Sequence, residues 1–177
     1  MGLSIYDVNA WVEDTPYNIN DIYEYPANSK NFYYAAVKHQ SGSDFDEDFG
    51  SSFSDGITTV NGKSYPKFFW TPSYNSQLQV KPSVKSVQFG DGYSSNAPDG
   101  INNILLPFNL TFDKRDENET RAILHFLNQR AGAASFNFVP PFPYNSLNKL
   151  FLCKTWNFQT IFANNHTIQC EFMETPL

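Results

Sequence analysis

ILLPFNLTFDKRDENETRAILHFLNQRAG, residues 104–132, contains two hydrophobic periods, one after the other. Apolar side chains first occupy every second position from Ile104 to Phe112, which predicts a half-buried β-strand. Pro107 inside this run cannot donate a ladder hydrogen bond, so it indicates a strand edge or a bulge. From residue 117 onward the apolar side chains recur at helical spacing. The stretch therefore predicts a strand followed by an amphipathic helix that covers one side of a sheet.

The predicted helix spans Glu117–Arg130 and has recognisable signals at both ends. Asp116 occupies the N-cap position, and Glu119 completes a capping box with it. The arginine in the last turn complements the negative end of the helix dipole, and Gly132 is the expected terminator. His125 lies beside the apolar stripe, where we expect it to pack.

The rest of the chain is rich in segments that favour strands. They are residues 21–25, 31–38, 67–72, 84–89, 135–141, 149–156 and 166–173, with a turn predicted at 163–165 between the last two. Strands and helices do not alternate, which excludes a doubly wound fold. The predicted fold class is mainly β: a β-sandwich or barrel with one flanking α-helix, plus a small N-terminal β module.

Charge divides the 177 residues into two units. The formal net charge is −6, but residues 1–66 hold ten acidic and three basic side chains, whereas residues 67–177 hold eight and nine. We therefore predict a small β module at 1–62 and a second domain at 63–177. Neither part is basic enough to indicate tight nucleic-acid binding. Only 17% of residues are charged and 17% are aromatic, which suits a β protein with extensive contact surfaces.

The glycine-rich stretch VQFGDGYSSNAPDGIN, residues 87–102, raises the question of a ligand loop. A phosphate loop would lead directly into a helix, but this one precedes a β-period segment. A calcium loop needs oxygen ligands at alternating positions, and Ala97 and Pro98 interrupt that pattern. We interpret it as a turn in which Gly90 and Gly92 adopt positive φ.

The acidic side chains do not indicate catalysis. Asp116, Glu117 and Glu119 are explained by the helix N-terminus, and the run from Asp44 to Asp48 favours a solvated loop. No nucleophile-elbow pattern occurs. We therefore predict no enzyme, no metal and no cofactor.

The two cysteines and the N-terminal residues bear on disulfides, metal binding and targeting. Cys153 and Cys170 lie in alternating apolar segments and are predicted to be buried thiols in neighbouring strands rather than a disulfide or a metal site. The N-terminal residues lack a signal-peptide pattern, and no stretch approaches a membrane span. We expect a soluble chain made in the cytoplasm.

A series of motifs runs in order through residues 67–173: FxWxPSY, SVKSVQFGDGY, DGIN, a strand ending in LTF, AILHFLNQRAG, SFNFVPP and FLCKTW. The matching positions are Trp70, Pro72, Tyr74, Phe89 to Tyr93, Asp99 to Asn102, Phe126, Leu127, Gly132, Phe136, Pro140, Pro141, Cys153 and Trp156. In this order the motifs resemble the minor tail protein family of long-tailed bacteriophages, the M-type group of lambda-like tails.

That resemblance implies a structural protein of the virion tail tip or baseplate, made in the host cytoplasm. Its subunits would resemble tail-tube subunits and form a homo-hexameric ring around the channel through which phage DNA passes without specific binding. The implied partners are the tail tube protein and the tail-tip hub and distal tail proteins. Candidate inter-subunit contacts lie in the glycine-rich loop. They are Phe89, Gly90, Asp91, Gly92, Tyr93, Asp99 and Asn102.

The N-terminal unit lies outside that resemblance. Its aromatic residues are faintly similar to those of chitin-binding-type carbohydrate modules, in which exposed rings stack on sugars. The candidates for such stacking are Trp11, Tyr17 and Tyr34. Alternatively, these rings form the small core of a short unit that only decorates the ring. The rival function is a virion adhesin that binds a cell-surface glycan, and a further alternative is a hydrolase that uses the acidic loop.

Overall fold

The computed structural model describes residues 4–45, 57–74, 76–100, 104–145 and 149–176. The strands are β1 (Asn9–Ala10), β2 (Pro16–Tyr17), β3 (Ile22–Glu24), β4 (Phe32–Tyr34), β5 (His39–Gln40), β6 (Ile57–Val60), β7 (Lys63–Phe68), β8 (Gln77–Leu78), β9 (Val84–Gln88), β10 (Ser94–Pro98), β11 (Pro107–Arg115), β12 (Phe136–Phe138), β13 (Lys149–Phe162) and β14 (Asn165–Glu174). One long helix, α1, spans Glu117–Arg130. The predicted mainly β class with a flanking helix is confirmed.

A seven-stranded sheet forms the centre of the molecule, in the order β6-β7-β12-β13-β14-β11-β8. Neighbours are antiparallel except β7 and β12, which run parallel. In the described ranges β6 and β8 are the two edges and do not pair with each other, so the sheet stays open. Of the two predicted architectures, the closed barrel is not formed.

Helix α1 has the predicted bounds. The side chain of Asp116 accepts a hydrogen bond from the Glu119 backbone N–H at 2.7 Å, which caps the first turn. At the other end the prediction is off by one residue. Ala131, not Gly132, is the first residue in the left-handed region, with φ 47°, and Gly132 follows at φ 69°. The glycine thus follows an alanine that already terminates the helix.

The core lies between α1 and one face of the large sheet. Its fully buried side chains are mostly phenylalanines: Phe68, Phe112, Phe126, Phe136, Phe138, Phe151 and Phe172. Phe68 contacts most of the others edge to face, with ring centroids 5.0–5.8 Å apart. Because aromatic rings favour this geometry, interlocking phenylalanines fill the space between helix and sheet.

Two strands differ from their predicted extents. β11 starts at Pro107 rather than at Ile104, whose side chain is 51% exposed. Proline is tolerated there because the first residue of a strand need not donate to the ladder. β13 runs to Phe162, well beyond the predicted 149–156, and its last residues are exposed. The turn at 163–164 joins it to β14, as predicted.

The two cysteines are free and buried in the adjacent strands β13 and β14, which confirms the predicted placement. The hydrogen bond between Cys170 and Cys153, together with burial, raises the pKa of Cys170 above its usual range. Cys170 therefore stays a protonated thiol inside the core.

The N-terminal residues form two small sheets, β1-β3-β4 and β2-β5. Tyr17, Tyr23, Ala35 and Phe45 make a separate buried cluster there. Ile22 and Tyr34, however, join the core of the large sheet. Strand β6 also pairs with β7 across a turn at residues 61–62. The division into domains 1–62 and 63–177 stays a prediction.

Candidate assembly surfaces

The glycine-rich loop is the tip of a β-hairpin. β9 and β10 pair antiparallel from Ser94↔Gln88 to Pro98↔Val84 and form a two-stranded sheet of their own. At the tip the Phe89 N–H donates to the Tyr93 carbonyl at 2.8 Å. Gly92 adopts φ 78° as predicted, but Gly90 is outside the left-handed region, so only one of the two glycines is needed for its backbone conformation.

One face of the hairpin is mostly apolar toward the tip. Directly paired residues share a face of a sheet, and side chains alternate along each strand. The register therefore places Val87, Phe89, Tyr93 and Ala97 on one side, together with the polar side chains of Lys85 and Ser95. Val87, Phe89 and Tyr93 are 55%, 56% and 75% exposed. These side chains have no packing partner among the described residues. A lone two-stranded hairpin is marginal in water, so this apolar face is a candidate contact surface.

Asp99 lies at the base of this hairpin. Its carboxylate is 3.0 Å from the Lys85 ammonium, and its backbone N–H donates to the Ser83 carbonyl at 2.9 Å. Asp99 thus closes the base of the hairpin, whereas Asp91 projects at its tip. Asn102, the last of the predicted contact residues, lies outside the described residues. The assignment of this loop to subunit contacts stays a prediction.

A second exposed surface follows the far half of β13, which sequence analysis did not single out. β12 pairs only with Lys149–Phe151, and within the described ranges no strand covers that side of β13 after it. The large apolar side chains there are Phe158, Ile161 and Phe162, 46%, 53% and 62% exposed. We call residues 154–170 the β13–β14 arm. The open side of β13 along it is a free strand edge, which natural proteins normally protect.

Both surfaces are poor in charge. Residues 155–170 of the arm contain no Asp, Glu, Lys or Arg, and residues 86–98 of the hairpin contain only Asp91. The centres of protein interfaces are depleted in charged residues and enriched in aromatic ones. Alternating polar and apolar residues along an overlong strand were the sequence signal that could have revealed the arm.

A small cavity lies where the N-terminal strands meet the end of α1. Its volume is about 210 Å³, and its lining includes Lys30, Tyr33, Ser64, Tyr65 and Arg130. The Arg130 guanidinium lies 5.5 Å from the Phe126 ring centroid, and its buried Nε has no hydrogen-bond partner. In the described part of the chain Arg130 forms no ion pair. Burial lowers the pKa of Arg130.

His125 is buried next to this cavity, 1% exposed, which confirms its predicted packing role. Burial, together with the charges of Arg121 and Arg130, lowers the pKa of His125 to about 4. Burial also raises the pKa of Tyr34. The hydroxyl therefore stays protonated, and it lies 2.8 Å from Nδ1 of the neutral imidazole. This buried hydrogen bond joins the N-terminal strands to α1.

The three carbohydrate candidates do not form a common exposed surface. Tyr17 and Tyr34 are 8% and 5% exposed, and Trp11 is half-buried against Tyr25 and Phe45. Their packing favours the alternative of a small aromatic core, because a ring that stacks on a sugar needs an open face. Glycan binding stays a prediction.

The acidic residues at the start of α1 have structural roles in capping and ion pairing. Asp116, Glu117 and Glu119 lie at the start of α1, where Glu119 pairs with Arg115 at 2.8 Å. Of the acidic run, Asp44 is described and residues 46–48 lie outside the described ranges. Among the described residues, no group of three or more His, Cys, Asp or Glu could hold a metal ion. Within the same residues, no helix is long and apolar enough to cross a membrane.

Comparison with known proteins shows which family this chain belongs to. Residues 66–175, more than half of the chain, match the family described as phage minor tail protein. The chain belongs to that family. It is also 32% identical over 90 residues to tail tip protein M of Escherichia phage lambda, a match that covers 51% of this chain and 80% of the lambda protein.

The resemblance found in residues 67–173 is thereby confirmed. This minor tail protein is a structural component of a phage tail, and it interacts with other components of the tail. Membership in this family favours a structural role over an enzymatic one. The match begins at residue 66, so the N-terminal strands lie outside the family region.

Proposed function

We propose that this minor tail protein forms a homo-hexameric ring at the tail tip, between the tail tube and the distal tip complex. The observation that carries the proposal is the pair of unpartnered β surfaces, the β9–β10 hairpin and the β13–β14 arm. Each presents apolar side chains that a lone subunit leaves in water. Closed assembly buries such surfaces without leaving a free edge for uncontrolled pairing.

The ring would surround the channel for phage DNA. The sheet face opposite α1 supports this use, because it presents mostly uncharged hydrogen-bonding groups from Asn109, Thr111 and Gln169. Tight DNA binding would instead need clustered lysine and arginine. The N-terminal strands would lie on the periphery of the ring, because they pack on the far side of the sheet, against α1. The proposed neighbours are the tail tube protein above and the hub and distal tail proteins below.

Electron microscopy of the purified chain and of intact tails tests the proposal. We expect ring-shaped particles with six-fold symmetry in negative stain, and an antibody to the chain that labels only the distal end of the tail. Sedimentation velocity provides the second readout and should give a species about six times the 20.2 kDa subunit mass. A chain that stays monomeric at all concentrations and is absent from purified tails would overturn it.

A further inference from the structure

We propose that the tip of the β9–β10 hairpin inserts into the cavity beside Arg130 on the neighbouring subunit, where Asp91 pairs with Arg130 and Lys30. This inference rests on the proposed ring and specifies its contact. The two features lie on one chain, but no described contact joins them within the subunit.

Charge complementarity is the first argument. Arg130 keeps a buried, unpartnered Nε and has no anion within ion-pair distance in the described ranges. Asp91 is the only charged residue of the hairpin tip, is exposed, and has no hydrogen bond or ion pair with the described residues. A carboxylate that reaches a half-buried guanidinium forms a charge-assisted hydrogen bond, stronger than a neutral one. The Asp91 carboxylate would therefore provide the anion for Arg130, and the Arg130 guanidinium would provide the hydrogen-bond donor for Asp91.

Shape is the second argument. The cavity holds about 210 Å³, which is less than a typical small-molecule site but suits one or two inserted side chains. Its walls are aromatic as well as cationic, with Tyr33 and Tyr65 among the lining residues. The tip presents Asp91 between the exposed rings of Phe89 and Tyr93. Both the cavity and the tip therefore have aromatic rings around charged groups, so the two could form a contact with an ion pair at its centre and apolar side chains around it.

Sheet topology is the third argument. A ring needs two different patches on opposite sides of each subunit, because its contacts are heterologous. The hairpin follows β8, one edge of the seven-stranded sheet. The cavity is lined by Ser64 and Tyr65 of β7, which lies next to the opposite edge, β6. In strand order the hairpin therefore adjoins one end of the sheet and the cavity lies near the other, as two heterologous patches would.

The loop glycines fit this role. A Cβ built on Gly90 or Gly92 would meet no atom within 4 Å in the single subunit. Space around the backbone is therefore not what favours glycine at position 90, whose φ is also ordinary. The positive φ already accounts for Gly92, and a narrow tip that enters a cavity of another subunit gives a reason for the missing side chain at Gly90.

Disulfide trapping tests the contact directly. Asp91→Cys and Ser64→Cys in one chain should give, under mild oxidation, a ladder of cross-linked species on a non-reducing gel that ends at the ring size. The two native cysteines are buried, so the chain without the introduced cysteines should give no cross-linked species. The matched control pairs Asp91→Cys with Asn118→Cys, an exposed site at the other end of α1, and should give no ladder.

Charge reversal at Asp91 measures how much the contact contributes to ring stability. We expect Asp91→Lys to raise the concentration at which half of the rings dissociate by about tenfold or more, and Asp91→Asn by less. The melting temperature of the subunit should not change, because Asp91 makes no contact within it. Combining Asp91→Lys with Arg130→Glu should recover part of the assembly.

The outcomes separate this inference from the ring proposal. Rings that form with neither a 91–64 cross-link nor sensitivity to Asp91→Lys would overturn the tip contact and leave the ring proposal standing. Failure of the unmodified chain to form rings, together with its absence from tails, would overturn both.

Discussion

At the scale of single residues, the contact between Tyr34 and His125 links the two parts of the chain through one buried hydrogen bond. A neutral imidazole suits that position, because a charged ring would be held away from water near Arg121 and Arg130. Burial and the two neighbouring arginines therefore make the stability of the folded molecule depend on pH through His125.

Stability should fall as the pH falls below about 6.5. The pKa of His125 is about 4 in the folded chain and about 6.5 when unfolded. Between these values the unfolded chain binds the proton and the folded chain does not, so the free energy of unfolding falls by on the order of 3 kcal/mol from pH 7 to pH 4. Urea unfolding across this range measures the slope.

The same titration on His125→Gln should show a much smaller loss of stability, since the titrating group is gone. His166→Gln is the matched control, because His166 lies on the β13–β14 arm and not in the core. An unchanged slope in His125→Gln would contradict the assignment of this pH dependence to His125.

Ala131 offers a stabilising substitution. Its φ of 47° is a conformation that glycine adopts more readily than residues with a Cβ. We expect Ala131→Gly to raise the free energy of unfolding by about 0.5–1 kcal/mol, measured by urea denaturation. Ala133→Gly is the control: residue 133 is outside the left-handed region, so the change should be neutral or destabilising. A loss of stability in Ala131→Gly would show that this alanine is not strained.

At the scale of elements, the hairpin and the arm share one property. Each is held by pairing within itself while its apolar side chains face water in the single subunit. Their stability and their solubility should therefore depend on assembly more than those of the helix and the phenylalanine core do.

Blocking the open edge of β13 should prevent assembly without unfolding the subunit. Ile161→Lys places a charge on this edge, which disfavours strand pairing. We expect a melting temperature within about 2 °C of the unmodified chain, because position 161 is 53% exposed, and loss of rings in sedimentation velocity. Val37→Lys is the control, because Val37 is an exposed apolar residue between β4 and β5, away from the arm. Rings that persist in Ile161→Lys would exclude the arm edge as an assembly surface.

Elements defined by local signals were predictable. The bounds of α1 follow from Asp116 and the capping box together with its apolar stripe, all of which lie within the helix or one residue before it. The buried side of β11 follows from its period of two. In both cases the physical determinants are neighbours in sequence, so no knowledge of the tertiary structure is needed.

Features that depend on distant residues were not predictable. The length of β13 is set by its pairing with β14, and the sequence alone indicated only its first eight residues. Tyr17 and Tyr34 were candidates for exposed stacking, yet they are buried by residues far away, such as His125 for Tyr34. The cavity at Arg130 likewise needs both β7 and the N-terminal strands.

At the scale of the whole molecule, the N-terminal strands cover part of the large domain's core. Ile22 and Tyr34 pack in the same cluster as Trp70 and Phe126. The Trp70 indole N–H donates to the Asn20 side-chain oxygen at 2.8 Å. A segment outside the family region therefore contributes to the stability of the domain that carries the family match.

Removing that segment should weaken the remaining domain. A chain of residues 57–177 keeps β6 but uncovers Trp70 and Phe126, and it leaves the indole and imidazole nitrogens without their partners. Exposure of large side chains at about 1.5–3 kcal/mol each predicts a fall of at least about 3 kcal/mol in the free energy of unfolding. Dye binding to exposed apolar surface should rise. Trp11→Ala in the full chain is the control, because Trp11 packs in the separate N-terminal cluster and leaves this contact in place. If the shortened chain melts at the temperature of the full chain, the N-terminal strands are a detachable decoration and not part of the fold of the tail domain.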